Sequence, residues 1–152
     1  MENSNTDSAA ARLKYLCEVI PPLLEALPED VFNTRPSEEK WSRKEILGHL
    51  IDSAANNHHR FIRVQIENTP FISYDADEWN NAGFYRLSDR KTLIELWRWY
   101  NLHIAHIIGH TPASLLSATI DTGGPSAQTL DFVIRDYVNH LEHHLHQLVE
   151  YH

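Results

Sequence analysis

The chain has 152 residues, 42% of them hydrophobic and 22% charged, with a formal net charge of -8. One domain of this length buries a core without disulfide or metal staples, and the negative charge argues against nucleic acid as the main partner, because phosphate contacts need a positive face. The single cysteine, Cys17, excludes a disulfide framework and any CxxC metal or redox motif.

Residues 1–152 read as one domain, with no internal repeat or domain-sized linker. The opening "MENSNTDSAAARLK" lacks a charged region followed by an apolar run, so no signal peptide is expected. No window approaches the ~18 apolar residues of a membrane span. A cytoplasmic protein without a membrane partner is the expectation.

From about Asp7, apolar residues recur at helical spacing: Leu13, Leu16, Ile20, Leu23, Leu24 and Leu27. Pro21 and Pro22 are expected to kink or briefly break this first helix. Cys17, in "YLCEVI", is expected to be a buried, inert thiol. "PEDVFNTRPSEEK" reads as a loop. The second helix opens at Ser42, which forms a capping box with Glu45, and Trp41 is placed for a hydrophobic staple with Ile46. Its pattern runs through Leu47, Leu50, Ile51, Phe61 and Ile62 and fades near Asn68, roughly 26 residues in all.

Residues 69–88, "TPFISYDADEWNNAGFYRLS", form a long irregular stretch, and such stretches are usually functional or a crossover. The third helix starts at Ser88 or Asp89 and ends at Thr111-Pro112. A second connection, "ASLLSATIDTGGPSAQ", turns at Gly-Gly-Pro near Asp121. Thr129 then caps the last helix, "LDFVIRDYVNHLEHHLHQLVEYH". Four long helices without alternating strand runs predict an all-α four-helix bundle.

Histidine is over-represented, with 11 residues, several of them in "YVNHLEHHLHQL". His140 and His144 lie four apart and share one face of the last helix, the spacing at which two imidazoles hold one ion. His143 and His146 are rotated off that face and are expected in solvent. His49, in "EILGHLIDSA", lies within the apolar pattern, with Gly48 allowing close approach; taken alone it reads as a core histidine bonded to a neighbour. Height decides between these readings. His49 stands roughly 10 Å from the start of its helix, and the midpoint of His140 and His144 roughly 14 Å from the end of theirs. Antiparallel helices bring the three level, whereas parallel ones miss by roughly two turns. A long crossover between the second and third helices makes the second and last antiparallel, and residues 69–88 are long enough to supply it. A rival set, His103, His106 and His110, shares a face of the third helix, but Leu102, Ile104, Ile107 and Ile108 look like its buried stripe. His58 and His59 read as polar-face residues or pocket lining.

The segments "KWSRKEILGHLIDSAANNHHRFI", "YDADEWN" and "NHLEHHLHQL", in that order, resemble the DinB/YfiT-like family of four-helix metal proteins. W-S-x-x-E-x-x-x-H-L joined to H-x-x-H-H-x-x-Q is the specific combination, and the likeness covers essentially the whole chain. The resemblance implies an up-down-down-up bundle, commonly a homodimer, with one divalent metal held by His49, His140 and His144. Family members of known activity are similar to enzymes that activate a low-molecular-weight thiol, such as bacillithiol or mycothiol, for transfer or isomerisation. Many others are described only as metal-dependent hydrolases.

Three neutral imidazoles with open positions left over form a catalytic type of metal site, acceptable to Zn²⁺, Ni²⁺ or Fe²⁺. The expected chemistry is attack by metal-activated water or thiol on a small-molecule substrate, with a low-molecular-weight thiol as the co-substrate in the second case. Asp52, three residues past His49, is a candidate to orient an imidazole or act as a base; the alternative is a solvated neighbour. Gln147, three past His144, is placed to hydrogen-bond the site or to cap its polar edge. Asn56 and Arg60 continue the face of Asp52, and Arg60 would hold an anionic group or sit in a surface salt bridge. Tyr74, Asp75, Asp77, Trp79 and Tyr85 are candidates for a lid. Two other readings stay open: a non-catalytic metal- or ligand-binding bundle of the stress-response kind, and a histidine face that serves only dimerisation.

Overall fold

The computed structural model of the protein describes residues 4–152, with side chains from residue 6. The reading of the N-terminus as lacking a leader rests in part on residues 1–3, which lie outside the described residues.

Four long helices build the bundle: α1 Ser4–Glu25, α3 Arg43–Arg63, α5 Arg90–His110 and α6 Leu130–Leu148, with two short helices, α2 Glu29–Asn33 and α4 Ala76–Gly83. Side-chain pairs give their directions. Arg43 reaches the Leu148 carbonyl, His49 meets His140, and the Phe61 ring stands edge-on to Tyr137, so α3 and α6 are antiparallel. Arg98 Nε donates to the Cys17 carbonyl and Gly109 lies against Ala10, so α1 and α5 are antiparallel as well. Lys44 donates to the Arg86 carbonyl just before α5, and His58 meets Tyr100 and His103, so α3 and α5 run the same way. This is the up-down-down-up bundle, with residues 64–89 crossing over between α3 and α5.

The core is one cluster. Trp97, Phe32 and Phe61 are its largest fully buried side chains, surrounded by Leu13, Leu16, Ile20 and Leu24 of α1 and by Ile104 and Ile108 of α5. Leu141, Leu145 and Leu148 of α6 close it. A buried polar pair, Tyr137 Oη donating to Asn101 Oδ1 at 2.6 Å, ties α6 to α5 inside this apolar surround. Among the described residues no helix is long and apolar enough to cross a membrane.

Local signals explain the helix starts. Ser42 Oγ accepts from Glu45 N and Ser42 N donates to Glu45 Oε1, the reciprocal pair expected of a capping box. Glu45 also binds Arg35, whose guanidinium is the main reason its carboxyl is held below the ordinary value. Asp89 caps α5 through Thr92 N, and Thr129 caps α6 through Phe132 N.

The structure departs from the sequence reading at five places. Pro21 and Pro22 lie inside α1, which runs unbroken to Glu25. Pro21 removes the donor that would serve the Cys17 carbonyl, and Arg98 Nε supplies the substitute at 3.2 Å. The segment taken as loop after α1 contains α2, a single turn that seats Phe32 in the core. The second long helix is shorter than expected, ending at Arg63 and followed by turns. Residues 69–88 are not irregular throughout: Asp75 accepts from Glu78 N and starts α4, which ends where Phe84 takes a left-handed φ of 53°. The later connection adds a two-residue antiparallel pairing, β1 Thr119–Ile120 with β2 Gln128–Thr129, whose turn uses Gly123 at φ 88°.

α4 and the 3₁₀ turn after it (residues 85–87) fold back on α3 through glycine. A Cβ on Gly48 would come 2.2 Å from the Tyr85 ring, and one on Gly83 2.7 Å from it. Gly48→Ala is therefore expected to displace Tyr85 and cost about 1–3 kcal/mol, as overpacking does. Thermal unfolding should show a midpoint lowered by several degrees. Gly124→Ala, where nothing lies within 4 Å, should stay within about 0.5 kcal/mol of wild type. Equal midpoints for the two variants would show that Tyr85 does not depend on that contact.

Candidate metal centre

The antiparallel pairing of α3 and α6 brings His49, His140 and His144 to one level. Each offers a ring nitrogen, and these atoms lie within 4.8 Å of one another. Ring centroids are 5.0 Å apart for His49–His140, 4.7 Å for His49–His144 and 4.7 Å for His140–His144, all edge-on. His49 is buried at 5% exposure, and the two α6 histidines are half-buried. The site thus opens from the bundle interior toward solvent along α6.

The donor set fits a divalent ion. Nε2 of His49 and Nε2 of His140 are 3.2 Å apart. Two nitrogens at about 2.0–2.1 Å from one tetrahedral ion would stand roughly 3.3 Å apart. His144 Nδ1 donates to Gln147 Oε1 at 2.9 Å, which fixes the tautomer that leaves Nε2 free to ligate. The half-buried Trp41 packs against His49, its ring 5.0 Å from the imidazole. His49 Nδ1 is buried without a hydrogen-bond partner.

Electrostatics keep His49 and His140 neutral, the form in which imidazoles ligate. Burial, followed by the neighbouring His140 and His144, lowers His49 to about 4. Burial and His144 lower His140 to about 4 against the opposing pull of Asp136.

Asp52, one turn past His49, is buried. Tyr85 Oη donates to its Oδ1, and Oδ2 has no partner. Burial raises its carboxyl above the ordinary value, opposed by the Tyr85 bond. Asp52 also lines a cleft of about 550 Å³ whose other walls are Glu78, Trp79, Ala82 and Gly83 of α4. Asp52 therefore contacts Tyr85 rather than an imidazole.

The remaining sequence candidates separate. Asn56 bonds the Asp52 carbonyl on its own helix. Arg60 makes no ion pair among the described residues: Nε and Nη2 donate to the Ile72 carbonyl and Nη1 to Asn57 Oδ1. Burial lowers its pKa. Tyr74 and Trp79 pack edge-on at 5.8 Å beside the cleft, and Asp75 serves as the α4 cap. His143 and His146 are exposed, as the helical wheel places them. His103, His106 and His110 are exposed on α5, away from this cluster. Cys17 is buried, its thiol pushed up to about 12 by burial, which makes it inert. Sequence reasoning missed Trp41 as a neighbour of His49 and Tyr85 as the partner of Asp52; the small residue at Gly48 was the available signal for a close approach.

An up-down-down-up bundle carrying a three-histidine cluster at the α3–α6 contact defines the class of protein. The chain belongs to the DinB superfamily, whose family model matches residues 13–148. Among solved structures it is similar to YfiT from Bacillus subtilis, described as a probable metal-dependent hydrolase with an unusual four-helix bundle topology. The TM-score is 0.87 at 19% identity, covering 97% of this chain and 86% of that one. At that identity the likeness shows the fold. No curated protein matches the chain.

The depressed imidazoles set a pH dependence for the metal-free protein. Unfolded, His49 and His140 take up protons near their ordinary 6.5; folded, only near 4. Between those values the unfolded chain binds more protons, so stability falls as pH drops through that window and is unaffected by these groups above it. Thermal midpoints of chelator-treated protein should decline from pH 6.5 to 4.5, and His49→Gln/His140→Gln should flatten the decline. An equal slope in that variant would exclude these two groups as its source.

Proposed function

We propose that the protein is a metal-dependent enzyme in which His49, His140 and His144 hold one divalent ion for hydrolysis or for transfer of a low-molecular-weight thiol. The observation that carries this reading is the convergence of three ring nitrogens, two of them 3.2 Å apart, with His49 and His140 kept neutral by burial. The fold shared with YfiT, itself described as a probable metal-dependent hydrolase, supports it. Zn²⁺, Ni²⁺ and Fe²⁺ all suit an imidazole set of this kind. A bound divalent ion supplies a nucleophile at neutral pH, lowering the pKa of water toward ~7 or deprotonating a thiol outright.

The chain's own residues do the rest. Gln147 Oε1 fixes the His144 ring, and Trp41 excludes water from the His49 side. Asp52 acts as the base: Oδ2 accepts the proton from the O–H or S–H of the nucleophile, while Tyr85 Oη holds Oδ1 and fixes the carboxylate plane. The same oxygen returns that proton to the leaving group. The substrate body occupies the cleft between Asp52 and α4, against Trp79 and Ala82.

Metal content of untagged protein, beside His49→Ala and His144→Ala, tests the site. One ion per chain should be present in wild type, and its affinity should fall at least about tenfold in each variant, since even outer-shell changes cost that much. Metal retained at full affinity without His49 would sink the reading. Asp52→Asn should keep the ion and lower turnover of an activated ester or a thiol acceptor by about 10²–10⁴, the usual worth of a positioned base. Full metal with no turnover of either substrate class in wild type would favour the non-catalytic binding bundle.

A further inference from the structure

A second set of imidazoles lies on the outer face of α5, where His103, His106 and His110 are all exposed. They take no part in the buried cluster, which draws only on α3 and α6. Leu93, Ile94, Trp97, Ile104 and Ile108 turn the other side of α5 into the core, so this face is free of packing duties.

Within the face, His106 and His110 stand apart from the rest. Four residues separate them, placing them one turn apart on one side of the helix. Their ring centroids are 4.3 Å apart, comparable with the 4.7 Å between His140 and His144 in the buried cluster. His110 Nδ1 donates to the His106 backbone carbonyl at 2.8 Å. That bond fixes the tautomer of His110 and leaves the lone pair on Nε2, the tautomer arrangement that accompanies nearly every metal-bound histidine. His103 is a poorer partner, its ring stacked parallel to His106 at 6.3 Å and edge-on to His58 at 5.1 Å. His58 in turn shares a hydrogen bond with Tyr100 Oη.

We propose that His106 and His110 form a second, solvent-facing site for a borderline divalent cation, chemically independent of the buried cluster. With two protein ligands it leaves the remaining positions to water, so it binds more weakly than the three-histidine set and exchanges freely. Imidazole ligands and the ordinary order of divalent affinities favour Cu²⁺, with Ni²⁺ and Zn²⁺ behind it. The inference stands apart from the enzymatic reading, because none of its atoms belongs to α3 or α6.

The test is equilibrium dialysis of untagged full-length protein against Cu²⁺ and Zn²⁺, with bound metal measured per chain. Wild type should show two classes of site. His106→Ala/His110→Ala should keep the tight class and weaken the other at least about tenfold; alanine suits an exposed helix, so the protein should stay folded. His49→Ala/His144→Ala should lose the tight class and keep the weak one. His143→Ala/His146→Ala, which removes two other exposed histidines, should keep the weak class at wild-type affinity. A single class in wild type would overturn the proposal. So would a weak class that survives loss of His106 and His110, that follows His143 and His146, or that disappears with the buried site.

Discussion

The antiparallel contact of α3 with α6 is the constraint from which the site follows. It is set at both ends by unrelated interactions: Arg43 on the Leu148 carbonyl at one, the Phe61–Tyr137 ring pair at the other. Between them, any residue of α3 has a fixed counterpart on α6. His49 falls opposite the turn that carries His140 and His144, and a shift of one residue along either helix would rotate an imidazole out of the cluster by about 100°. The buried Tyr137–Asn101 bond then ties α6 to α5, and Arg98 ties α5 to α1, so the level of the histidines is held by all four long helices.

The crossover supplies the other wall. The up-down-down-up order makes the chain travel from one end of α3 to the opposite end before α5 begins, and residues 64–89 carry it along the bundle. The protein spends that length on α4, whose exit turn drops the Tyr85 ring onto Gly48 and the Tyr85 hydroxyl onto Asp52. The segment required to reverse direction is thus the one that forms the wall of the cleft opposite Asp52.

Much of this was legible in the sequence, and the reasons for the gaps are physical. The long helices carry strong 3.6-residue periodicity and side-chain caps at Ser42, Asp89 and Thr129, all of which act within one turn and can be read locally. The convergence of His49 with His140 and His144 was legible only because rise per residue turns sequence position into height. The unbroken α1 was not legible, because the substitute donor for the Cys17 carbonyl is Arg98, 81 residues away. α2 and α4 are too short to show a period; one is fixed by Phe32 entering the core and the other by a cap at Asp75. Tyr85 resembled any loop aromatic until its ring met a glycine on another helix.

Buried polar atoms without partners mark where the fold accepts a cost. Among the described residues these are His49 Nδ1, Asp52 Oδ2 and Trp97 Nε1. Each such atom costs about 1–3 kcal/mol, and a core of leucine and isoleucine at those places would carry no such cost. Two of the three lie one turn apart on α3, one in the three-histidine cluster and one on the wall of the cleft against α4, whereas the polar residues elsewhere in the core, such as Asn101 and Tyr137, are bonded to each other. The same burial that leaves Asp52 Oδ2 unpartnered raises its carboxyl and depresses His49 and His140. A neutral imidazole is the form suited to ligation and a raised carboxylate is the stronger base, and both follow here from the same desolvation that weakens the bundle. His106 and His110, by contrast, stand exposed on α5, and what they share with His140 and His144 is the four-residue spacing that sets two imidazoles on one side of a helix.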